Sequence, residues 1–125
     1  MKVRQLLDQG TRDSLQKILK SNLPIKASMR VKGLVKEIEA ILAEYESARK
    51  ALVESLADRN EAGEIVQLEN GNAKLSDGNM QAFVKGINDL QDEDLELSSI
   101  PVDMLVDKVD LTPLELMALD ALISE

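Results

Sequence analysis

Apolar residues recur at Val31, Leu34, Ile38, Ile41, Tyr45, Ala48 and Leu52, at spacings that alternate three and four. Such a pattern lays side chains along one face of an α-helix. It predicts a single long amphipathic helix from about Ala27 to Arg59. Val35, Leu42, Val53 and Leu56 broaden the seam into a stripe wider than a two-stranded zipper uses. An isolated helix cannot bury that stripe, so the seam packs either against the rest of the chain or against another copy. Gly33 lies beside the seam. Because Gly weakens a helix interior by about 0.8–1 kcal/mol relative to Ala, it marks either a close helix crossing or a slight bend.

The flanking pattern predicts shorter elements. Met1–Leu7 fits an edge strand or the start of a helix, and Thr11 is an expected N-cap for a helix to about Ser21 with Leu15, Ile18 and Leu19 inward. Pro24 then interrupts, with Ser28 an alternative start for the long helix. After Gly63 the period changes. Ile65–Leu68 and Ala73–Leu75 flank Asn70-Gly71, a hairpin signal. A second helix is expected from about Asn79 to Asp89, with Met80, Phe83, Val84, Ile87 and Leu90 on one face. Asp94–Ile100 alternates as a strand, bounded by Pro101. Thr112-Pro113-Leu114-Glu115 combines an N-cap Thr, Pro at the first helical position and Glu at the third, and predicts a helix to near Ile123. Leu114, Met117, Ala118 and Leu122 are its expected core side, with Leu119 and Ile123 as further candidates, and the helix either docks on the body or serves a partner. The fold class expected is α+β and mostly α: one domain over 1–125, its long helix packed antiparallel against shorter helices. A small antiparallel sheet or β-hairpin, drawn from 65–75, 94–100 and 1–7, completes it.

Composition narrows the chemistry. Tyr45 and Phe83 are the only aromatic residues, and Trp, His and Cys are absent. The core is therefore built from aliphatic side chains and Met. Without Cys there is no disulfide, thiolate metal site or cysteine nucleophile, and without His the usual general base near neutral pH is missing. No catalytic or cofactor-binding residues are assigned, and a non-enzyme is expected. No segment has the apolar length of a membrane span, and the first ten residues lack the apolar run of a signal peptide, so a cytosolic protein is expected.

The net charge of -8 argues against general affinity for nucleic acid or anionic membrane. It conceals an asymmetry. Residues 1–36 carry nine Lys or Arg against two Asp, +7, whereas residues 37–125 carry six basic against twenty-one acidic residues, -15. Either opposite segments neutralise one another in the fold, or a two-signed surface orients a partner. The cluster Asp89, Asp92, Glu93, Asp94 and Glu96 lacks the ligand spacing and Gly of a calcium loop and reads as a solvated turn. As a surface it is the candidate for acidic interaction. No phosphate-binding glycine spacing occurs, and the basic residues lack interleaved aromatics.

Read in order, several short stretches resemble a group of small uncharacterised proteins of tailed bacteriophages and prophages. They are Leu23-Pro24-Ile25-Lys26 before the long helix, Glu64–Leu75 around Asn70-Gly71-Asn72, the Phe83 helix, Asp94-Leu95-Glu96-Leu97, and Leu111-Thr112-Pro113-Leu114-Glu115-Leu116. The resemblance implies phage origin and a helical hairpin-like body with a few strands, and it carries no catalytic residues. The expected function is a non-enzymatic protein–protein interaction or assembly factor, a virion component or assembly chaperone. The alternative is an inhibitor of a host defence or nucleic-acid enzyme acting through the acidic surface. The expected interaction seam or core is Val31, Leu34, Ile38, Ile41, Tyr45 and Leu52. The expected partners are a phage or host protein or a second copy, in the host cytoplasm or the virion, with no cofactor, metal, nucleic acid or membrane.

Overall fold

The computed structural model describes residues 1–125. The chain is mostly helical, and a long helix packs against shorter ones. In order, α1 spans Val3–Leu7, α2 Gln9–Leu19, α3 Ile25–Leu56, α4 Asp77–Gln91 and α5 Pro113–Ala118, with short strands β1 at Ile100–Pro101 and β2 at Ile123–Ser124. The chain divides into two compact units. The first is Met1–Ile41 with Glu93–Glu125, and the second is Leu42–Asp92. α3 contributes its first part to one and its last part to the other.

In the first unit α2 starts at Asp8, whose carboxylate accepts from the Thr11 backbone N–H at 3.2 Å. Asp8 therefore takes the capping role expected of Thr11. Thr11 lies inside the helix and is buried, its hydroxyl donating to the Ala118 carbonyl at 3.2 Å. Ser14 is buried one turn on and donates to the Gly10 carbonyl at 2.7 Å. Small side chains at these two positions form the inner face together with Ile18, so Leu19, expected inside, is 41% exposed. α3 begins at Ile25 with no cap at Ser28, whose N–H already donates to the Pro24 carbonyl at 2.9 Å. Ala27, Val31, Leu34 and Ile38 are buried at the expected spacing and meet a core that includes Ile100, Leu105, Leu119 and Leu122.

The paired strands are parallel, with Ile100 opposite Ile123 and Pro101 opposite Ser124. Parallel neighbours need a crossover, and residues 102–122 supply it through α5 and two 3-10 turns. The expected antiparallel sheet is thus replaced. Antiparallel pairing survives only as single bridges, Lys2–Asp94, Arg59–Ile65 and Gln67–Ala73. Residues 1–7 are unavailable as a strand because α1 starts at Val3.

In the second unit α4 runs antiparallel to the end of α3. Gln91 Nε2 donates to the Tyr45 hydroxyl at 3.0 Å, Gly86 lies against Leu52, and Asn79 Nδ2 donates to the Leu56 carbonyl at 2.9 Å. Between them the chain makes two turns of one design. Gly63 donates to the Asn60 carbonyl and Gly71 to the Leu68 carbonyl, each Gly with positive φ, 80° and 84°. These are type I turns closed by a left-handed residue, the three-residue hairpin loop. The three extended segments then lock together. Asp58 N–H donates to Lys74, Lys74 to Val66 and Val66 to Asp58, each at 2.8 Å, a closed ring of peptide groups.

Candidate interaction surfaces

The long-helix seam is core. Val31, Leu34, Ile38 and Tyr45 are buried within the single chain, Leu34 to 1%, while Ile41 and Leu52 are half-buried. Packing along α3 is therefore made by the chain itself. Phe83, Ile87 and Leu90 are half-buried on the inner side of α4, whereas Met80 and Val84, expected beside them, are 43% and 50% exposed. A face spanning all five is too wide for one neighbouring helix to cover.

The sharpest departure lies in α5. Its N-terminus forms as expected: Thr112 accepts from the Glu115 N–H at 3.1 Å, and Glu115 accepts from the Thr112 N–H at 3.0 Å. The helix stops at Ala118, however, and a 3-10 turn over Asp120–Leu122 follows. Leu119 and Leu122 go into the core, and Leu114 and Met117, expected there, are 75% and 73% exposed. Glu115 also meets Lys17 Nζ at 3.0 Å. The Thr112 backbone N–H and then the Lys17 ammonium favour the ionised carboxylate, so its pKa is held below the usual value of 4.5. α5 is thereby fastened to α2 at both ends, by Glu115 and by Ala118, with a bare apolar ridge facing away from the core.

A groove of about 350 Å³ opens between the end of α2 and the start of α3. Ile18, Leu19, Leu23, Val31 and Val35 give it an apolar lining, bordered by polar side chains of α3. Nearby, Ile25 and Met29 on the first turns of α3 are also bare, at 81% and 68%. Composition could not reveal either feature, since both depend on which side of a helix the neighbours leave open.

Asp89, Asp92, Glu93, Asp94 and Glu96 are all exposed. They do not converge, and no group of three acidic, His or Cys side chains anywhere is arranged to hold a metal ion. The backbone of 93–95 is occupied with the N-terminus: Val3 N–H donates to the Glu93 carbonyl at 3.2 Å and Leu95 N–H to the Met1 carbonyl at 2.7 Å, which sets Lys2 across from Asp94. The Lys17–Glu115 pair likewise joins a residue of the basic segment to one of the acidic segment. Within the first unit the basic N-terminal segment folds against the acidic C-terminal one. No helix is long and apolar enough to cross a membrane.

No family model, curated protein or solved structure matches this chain.

Proposed function

We propose that the protein is a non-enzymatic protein–protein interaction or assembly factor of a tailed bacteriophage, serving as a virion component or an assembly chaperone. The observation that carries this reading is the ridge of Leu114 and Met117, bare on a helix that is capped and ion-paired into place. Large apolar side chains left in water on an ordered element mark a surface that a partner covers. The phage assignment rests on the resemblance of Leu23–Lys26, the Asn70-Gly71-Asn72 region and Leu111–Leu116 to small phage proteins. Its place of action is then the host cytoplasm, and the virion if it is retained there.

The five exposed carboxylates between Asp89 and Glu96 support a second reading, occlusion of a basic host enzyme. Tagged protein captured from an infected host and analysed by mass spectrometry separates the two. Recovery of capsid or tail proteins at defined stoichiometry, lost in a Leu114→Gln/Met117→Gln variant, is the expected result. Recovery of a host nuclease or polymerase, released by salt and unaffected by that variant, would overturn assembly in favour of inhibition.

A further inference from the structure

Two unpartnered features of the first unit complement one another. The ridge pairs Leu114 with Met117, three apart and hence neighbours along one face of α5. Of the four acids within residues 110–125, Glu115 is already paired with Lys17 of α2, and Asp110, Asp120 and Glu125 are exposed. The α2–α3 groove offers the opposite. Its apolar lining is bordered by Lys32 and Lys36, successive on α3 and both exposed, and it belongs to the segment of charge +7. Glu39 is the single acid of its lining.

We propose that the occupant of the groove is the α5 ridge of a second copy of this chain. Leu114 and Met117 enter the apolar lining, and the acidic flanks of α5 lie against Lys32 and Lys36. The contact joins two different surfaces, so each copy keeps a free ridge and a free groove. Such contacts propagate into a ring or an open filament instead of stopping at a dimer. The exposed rim charges make association weaken as salt rises. The inference rests on the reading of the ridge as a binding surface and names its partner.

Sedimentation velocity over rising protein concentration tests it, with Lys32→Glu/Lys36→Glu as the groove variant and Leu114→Gln/Met117→Gln as the ridge variant. Wild type is expected to form species beyond the dimer, fewer at high salt. Each variant alone should stay monomeric, with unchanged far-UV circular dichroism. An equal mixture of the two should stop at a dimer, since only one intact ridge and one intact groove remain. Because the chain has no native Cys, cross-linking gives an independent reading. Met117→Cys and Leu19→Cys copies should join under mild oxidation, and Met117→Cys with Lys50→Cys should not. A wild type that stays monomeric, a groove variant that assembles normally, or equal cross-linking at Lys50 would overturn the proposal. Phage partners recovered by a monomeric wild type would leave the assembly reading standing without it.

Discussion

Two glycines on helices should respond oppositely to the same substitution. Gly33 lies inside α3 with nothing within 4 Å of where a Cβ would stand. Gly33→Ala therefore keeps only the helix-propensity gain, about 0.8–1 kcal/mol. A Cβ at Gly86 in α4 would lie 2.9 Å from Leu52 Cδ1 and 3.2 Å from Cδ2. Overpacking of this kind costs about 1–3 kcal/mol, offset by the same propensity gain, so Gly86→Ala should be neutral to destabilising by about 2 kcal/mol. The methyls of a half-buried Leu52 can yield somewhat, which favours the lower part of that range. In a Leu52→Ala background the obstruction disappears, and Gly86→Ala should become stabilising by about 1 kcal/mol. Urea titrations followed by Tyr45 fluorescence would read the cycle, because Tyr45 sits in the same unit. If Gly86→Ala stabilised the wild-type background as much as Gly33→Ala does, the close α3–α4 approach would be refuted.

Other positions give further tests. Leu34→Asp places a carboxylate at a site 1% exposed and should cost on the order of 4 kcal/mol or more; native helicity and melting would contradict the placement of the seam. Glu115 has a folded pKa below its ordinary 4.5, so its stabilisation is fully present above that value and is lost as pH falls through the lowered one. A carboxyl titration by NMR should find that midpoint below 4.5, and Lys17→Ala should move it part of the way back, the Thr112 backbone N–H holding the remainder. Gly63→Ala and Gly71→Ala each force a left-handed conformation on Ala, at about 1–2 kcal/mol. Because one peptide ring joins both turns, the double variant should lose less than the sum of the singles in urea titration, and strict additivity would show the ring to be uncoupled.

The long seam was legible because its period extends over about six turns of helix, and no other structure accommodates a stripe of that length. The α5 cap was legible because Thr112, Pro113 and Glu115 each have a local physical role. Side-chain direction beyond a cap is different. Whether Leu114 or Leu119 goes inward depends on where the helix stops, and the stop comes from Leu119 and Leu122 entering the core through a 3-10 turn. Thr11 and Ser14 were unreadable as core positions because polarity alone places them outside. They are inside because each hydroxyl finds a carbonyl, Ala118 and Gly10. The hairpin region was half legible. Asn70-Gly71 announced a turn, but Ala62-Gly63 eight residues earlier makes the same turn without the Asn-Gly signature. The parallel β1–β2 pair was beyond reach, since two residues a strand leave no periodicity to detect.

The properties that make α5 hard to read also suit it to binding. A free amphipathic peptide loses conformational entropy when it docks, and that loss is subtracted from its affinity. Here the chain itself orders the helix. Pro113 fixes the first turn, Thr112 and Glu115 cap it, Lys17 anchors its start and Thr11 its end, while Leu119 and Leu122 seal the following turn in the core. Leu114 and Met117 are the most exposed of its large apolar side chains, and Met adapts readily to an irregular surface. The arrangement spends buried contacts on holding a six-residue helix whose own outward side chains add nothing to the core. That expenditure has a physical rationale when the outward side chains are what the helix is there to present.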